Sequence, residues 1–170
     1  MKLKETIIIL AVCLAIFGLF VLGYANSGSS AASVQGVPAN APASALAASS
    51  TFYDFGTISM RNGDVSRDFT FTNPANHDVT ITQVETSCMC TSALLVEPDG
   101  STKGPFGMPG MGGMNATDET IKAGVTRTLR VIFNPAAHGP AGVGSIDRFI
   151  LLTDASGGAL KFEIKAIVTP

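Results

Sequence analysis

Asp68-Phe69-Thr70-Phe71-Thr72-Asn73-Pro74 decides the fold: polar and apolar residues alternate through Thr72, and an Asn-Pro pair then stops the run. Alternation with a period of two places Phe69 and Phe71 on one face of a strand and their polar neighbours on the other. Proline cannot donate to a ladder, and it disfavours a helix in the residue before it. Working outward, Val79-Thr80-Ile81-Thr82 alternates again, and Thr126 to Phe133 carries Leu129, Val131 and Phe133 on one face before ending at Asn134-Pro135. Ser145 to Thr153 and Ala159 to Val168 read as two last strands, with Asp154-Ala155-Ser156-Gly157-Gly158 as the hairpin turn. Upstream, Phe52, Asp54 and Gly56 lead into Thr57-Ile58-Ser59, and Arg61-Asn62-Gly63-Asp64 supplies a turn. Nothing from Thr51 onward shows the i, i+3, i+4, i+7 spacing of a long amphipathic helix. The expected fold is all-β: an antiparallel sandwich of about seven strands over 51–170.

The first 50 residues have a different texture. A short basic start, Lys2 and Lys4, precedes an uncharged run from Ile7 to Tyr24, close to the roughly 20 residues a helix needs to cross a bilayer. Lysines before the run and no charge after it until Asp54 leave the N-terminus cytoplasmic and the remainder outside. Residues 1–24 are thus expected to be one transmembrane helix serving as a membrane anchor, or a signal peptide cut after Gly23-Tyr24-Ala25. Cys13 reads as a small apolar residue of that segment. Residues 25–50, rich in Ala, Ser, Gly and Pro, offer little to bury and are expected to form a flexible tether spanning on the order of 30 Å. The localisation that follows is the cell envelope: inner-membrane anchored with the domain extracytoplasmic, or periplasmic or secreted after cleavage.

The formal net charge of −2 over 170 residues leaves no basic footprint for nucleic acid. No G-x-S-x-G, H-E-x-x-H or phosphate-binding loop is present, and Asp54, Asp68 and Glu85 are scattered along strands without pairing. A non-catalytic protein is expected.

The chemistry is concentrated in Ser87-Cys88-Met89-Cys90-Thr91. The phase set by Val79 and Ile81 turns Gln83 inward, so a bulge or strand end is expected near Gln83. Restarting at Val84 puts Thr86, Cys88 and Cys90 on one face with Met89 opposite. Residues i and i+2 of an extended strand lie about 6.5 to 7 Å apart, the outer edge of disulfide geometry. A bridge there needs a bend, so two thiols acting together are favoured over a structural staple, although thiols outside the cytoplasm tend to oxidise. The insertion at about 98–118 adds Met108, Met111 and Met114 in a Gly/Pro-rich loop. Thiolates and thioethers are the soft ligands that select Cu(I), so Cys88 and Cys90 with one or more of these methionines form a candidate copper site. His77 and His138 sit beside turns without ligand spacing to the cysteines, and are expected to be exposed rather than zinc ligands. No Lys or Arg neighbours the cysteines in sequence, which counts against a depressed thiol pKa there.

The succession Asp54-Phe55-Gly56-Thr57-Ile58, Phe69-Thr70-Phe71-Thr72-Asn73, Ser87-Cys88-Met89-Cys90-Thr91 and Phe133-Asn134-Pro135 resembles a bacterial exported family, the one catalogued as domain of unknown function 1573. The resemblance runs from about Thr51 to Thr169 and implies an immunoglobulin-like β-sandwich outside the cytoplasm. The family motif usually reads Cys-Gly-Cys-Thr, and Met89 departs from it. Related sandwiches mostly act as assembly or interaction modules. The expected function is a membrane-tethered binding or assembly module with an envelope protein as partner. Cu(I) handling and thiol–disulfide redox at Cys88 and Cys90 are the two alternatives.

Overall fold

The computed structural model describes residues 42–170. The strands are β1 (Ala47–Ala48), β2 (Phe52–Ser59), β3 (Val65–Thr72), β4 (Val79–Thr86), β5 (Thr91–Val96), β6 (Thr102–Phe106), β7 (Ala116–Ile121), β8 (Thr126–Phe133), β9 (Gly144–Asp154) and β10 (Ala159–Thr169). One sheet runs β1-β3-β8-β5-β6 and the other β2-β10-β9-β4-β7. The chain is the all-β sandwich its alternation implies. Among the described residues there are ten strands where about seven were expected, and β2 lies parallel to β10 while the other strand pairs are antiparallel. Among the described residues no helix is long and apolar enough to cross a membrane. The apolar segment 1–24 lies outside those residues.

The alternating stretch behaves as its pattern requires: Phe69 and Phe71 are buried, and β3 pairs with β8 from Val65↔Phe133 to Thr72↔Thr126. Leu129, Val131 and Phe133 of β8 point inward beside them. Phe71, Phe106 and Phe162 are fully buried, and Phe69 meets Phe162 across the two sheets with ring centroids 5.0 Å apart. Removing one such ring from water stabilises the fold by roughly 1.5–3 kcal/mol.

The folded part reaches further back than the composition change at Thr51. β1 pairs with the end of β3, Ala43 bridges to Ala159, and Leu46 is buried in the core. Ser44 Oγ donates to Asp154 Oδ2 at 2.5 Å. Pairing of this kind compensates the ordering entropy that poor composition alone cannot offset. The tether expected over 25–50 therefore does not extend to Ser50. Asp154 Oδ1 accepts from the N–H groups of Ser156 and Gly158, both at 2.9 Å, and so shapes the β9–β10 turn. A Cβ at Gly158 would lie 2.8 Å from Ser44 Cα, so only glycine lets the incoming chain pass.

The insertion is also more ordered than a Gly/Pro loop. β6 and β7 take its flanks, leaving 107–115 as the connection. Lys103 of β6 pairs with Glu119 of β7, which also lies 3.8 Å from Arg127 of β8. These charges close the side of the sandwich between the two sheets.

Candidate functional site

β4 changes phase where Gln83 would otherwise turn inward: its register with both β7 and β9 shifts between Ile81 and Gln83, and Val84 then resumes the buried face. The strand ends at Thr86, and Ser87 to Cys90 form a tight connection to β5. This corrects the expectation that both cysteines lie on one strand face. Thr91 N–H donates to Cys88 O at 3.1 Å, closing the turn, and the buried Thr86 hydroxyl donates to Cys88 O and Thr91 O, each at 3.0 Å. Asn134 N–H ties Cys90 O to the end of β8 at 2.9 Å, and Ser87 exchanges two bonds with Phe149 of β9.

The turn draws the two Cα atoms to 5.2 Å, inside disulfide range, and Cys88 and Cys90 are bonded to each other. An extended backbone holds such residues at the outer edge of disulfide geometry, so a bridge was expected to need a bend, and two thiols acting together were favoured over a staple. The bend supplied by Thr86 and Thr91 removes that obstacle, even with Met89 in place of glycine.

Two side chains that sequence reasoning set aside converge on the pair. His138, exposed as expected for a turn residue, nevertheless places Nε2 3.2 Å from Cys88 Sγ. Cys88, Cys90 and His138 thus present three ligand atoms within 4.8 Å of one another. Arg148 Nε donates to Cys90 Sγ at 3.3 Å, so a cation does stand beside the cysteines, brought from β9 rather than from neighbouring sequence. The available signal was the phase of β9: Ile146, Ile150 and Leu152 face inward, and Arg148 occupies a position on that same face. Burial pushes the Arg148 guanidinium pKa down. His77 remains an exposed turn residue near Asn76.

The methionines are placed differently. The loop's two ends are bonded to β4 just ahead of the turn, Thr86 N–H to Gly107 O at 3.1 Å and Val84 N–H to Asn115 O at 2.8 Å. Met108 is partly buried, whereas Met111, Met114 and Met89 are exposed. Thiolate ligands for copper arise here only once the Cys88–Cys90 bond is reduced. Glu85, buried two residues before Ser87, has its carboxyl pKa pushed up by burial and accepts from Gln83 Nε2 at 2.6 Å.

Residues 46–99, from β1 through the cysteine turn and β5, match the family described as Protein of unknown function (DUF1573). The family resemblance carried by the motifs is borne out over that stretch. No curated protein matches the chain. A protein of unknown function from Porphyromonas gingivalis W83 superposes with a TM-score of 0.53 at 16% identity, covering 75% of this chain and 48% of that one. The chain therefore spans about half of that protein, and the likeness is one of fold. The seventh PapD-like domain of human CEP192 gives a TM-score of 0.46 at 12% identity, over 75% of this chain and 87% of that one. The periplasmic chaperone SfaE gives 0.37 at 12% identity, over 74% and 57%.

Proposed function

We propose that this chain is a non-catalytic binding or assembly module of the bacterial cell envelope, held at the membrane by residues 1–24, that takes a partner segment along the edge of β3. The observation that carries this reading is the open edge itself. β3 is paired with β8 along its whole length, whereas β1 covers only Phe71 and Thr72 on the other side. Among the described residues, Val65 to Phe69 have no backbone partner on that side. Exposed strand edges are a recurrent way for sheets to accept an extended peptide, main-chain bonds giving affinity and side-chain pockets giving selectivity. Beside this edge a groove is lined by Tyr53, Ser66, Arg67, Asp68 and Arg130. Arg67 stacks over Tyr53, and Asp68 forms a bidentate pair with Arg130, both bonds 2.8 Å. Charges at an edge discourage pairing with a second copy of the same strand and leave selection to a complementary partner.

The test is site-specific crosslinking in cells. A photoreactive residue at Ser66 is expected to trap one defined envelope protein, and the same probe at the exposed Lys122 is expected to trap none. Equal products from both positions, or none from Ser66, would remove the edge as the binding surface.

Copper handling is the second reading. It draws support from the grouping of Cys88, Cys90 and His138 and from the attachment of the methionine loop to Thr86.

A further inference from the structure

The two sulfurs of the Cys88–Cys90 bond face different nitrogen groups: Nε2 of His138 lies by Cys88 Sγ, and Nε of Arg148 by Cys90 Sγ. Arg148 is an unusual occupant of its position. It lies on the inward-facing side of β9, partly buried; its Nη1 donates to Asp147 O at 2.9 Å and the Asp147 charge favours its protonated form, but it forms no ion pair within 4 Å among the described residues. A desolvated guanidinium is normally held by a carboxylate, because removing a charge from water is costly without a compensating charge. Here its Nε–H is aimed at a sulfur that is neutral in the disulfide and anionic once the bond is broken. The charge-assisted bond from Nε–H to an anionic sulfur is therefore made only in the reduced protein. Access differs as well: Cys88 keeps 8% of its surface and Cys90 only 3%.

We infer that Cys88–Cys90 is a redox-active disulfide that exchanges with a dithiol with fixed polarity, Cys88 being the sulfur attacked and Cys90 the sulfur that leaves. This inference is independent of the β3 edge. In the first step a thiolate of the dithiol bonds to Cys88 Sγ, the Cys88–Cys90 bond breaks, and its electron pair goes to Cys90 Sγ against Arg148. The dithiol's second thiolate then attacks its own sulfur in the mixed disulfide. A new S–S bond closes within the partner, and the electron pair goes to Cys88 Sγ, which His138 Nε2–H is placed to hydrogen-bond. Two electrons pass from the dithiol to this domain. The dithiol's two protons go to Cys88 and to water, with Cys90 held as the anion. Exchange is faster the better the leaving thiolate is stabilised, so Arg148 favours Cys90 as the leaving sulfur and raises the rate.

The experiment uses the oxidised full-length chain, dithiothreitol as the dithiol, and N-ethylmaleimide quenching followed by a thiol count by mass spectrometry. Arg148→Gln is expected to slow reduction about tenfold, the scale of one charge-assisted hydrogen bond. The same tenfold change in equilibrium makes the potential about 30 mV more negative. Arg148→Lys is expected to restore most of both. With the monothiol glutathione, the trapped adduct is expected on Cys88. An adduct on Cys90, an unaltered rate and potential in Arg148→Gln, or reduction only after unfolding in urea would each overturn the inference. If Arg148→Gln fails to fold, His138→Gln at an exposed position carries the test. It is expected to accumulate the mixed disulfide, and a wild-type level of that species would count against the scheme.

Discussion

At the scale of single residues, Asp154 shows how much one side chain can organise. Burial alone pushes its carboxyl pKa up, but hydrogen bonds from Ser156, Ser44 and the Gly158 and Ser156 N–H groups together outweigh this and hold it below the ordinary carboxylate range. A carboxylate whose pKa is depressed on folding stabilises the protein above its unfolded value, and that contribution is lost as pH falls through the folded value. Asp154→Asn is therefore expected to lower stability at neutral pH by about 1–3 kcal/mol, the cost of disturbing a buried bonded group. Thermal melts of the two proteins should converge as pH drops through the acid range. A gap that stays constant with pH would mean that the carboxylate's charge contributes nothing. The same residue explains why the folded part was read as starting too late. Ser44 and Leu46 have nothing in their own sequence neighbourhood that marks them as paired, because their partners lie at Asp154 and in the core.

At the scale of elements, the strands that were legible are those whose own pattern settles their phase. β3 and β8 alternate without interruption, and both deliver the expected faces to the core. Phe162→Ala in β10 would remove the ring that bridges the sheets, and is expected to cost about 3–5 kcal/mol in chemical denaturation. A loss below about 1 kcal/mol would show that the neighbours collapse into the space. β4 was legible down to its bulge, since Gln83 breaks the phase of Val79 and Ile81 within the strand itself. β6 and β7 were not legible. Thr102–Phe106 includes a glycine and a proline, and Ala116–Ile121 is held by pairing with β4 and by the ion pairs around Glu119. The bend at the cysteine turn was not legible for a related reason. Spacing along an ideal strand predicts separated sulfurs, whereas the Thr86 hydroxyl and the Thr91 amide impose the bend from outside the motif. His138 and Arg148 reach the same turn from the β8–β9 connection and from β9, a meeting that only the folded topology produces.

At the scale of the whole molecule, the sandwich core and the disulfide contribute very unequally to stability. Residues of all ten strands form or pack against one apolar cluster that includes both cysteines, while the bridge closes a loop with a single residue between its ends. Loop-closure entropy for so short a link is worth only about 1–2 kcal/mol. The double variant Cys88→Ser, Cys90→Ser is expected to remain folded, with a thermal midpoint only several degrees lower. Failure of that variant to fold would make the bridge a structural staple and weaken the case for exchange.

The clasp between Ser44 and the β9–β10 turn also fixes the end of the sandwich at which the described chain enters. Ala43 enters beside Ala159, at the end of the sandwich where β4 begins, and the sulfurs lie beyond the opposite end of that strand. From Ile81, paired with Asp154, to Cys88 is a strand's length of about 20 Å. The described chain therefore enters the domain at its base, and the sulfurs sit at the far tip.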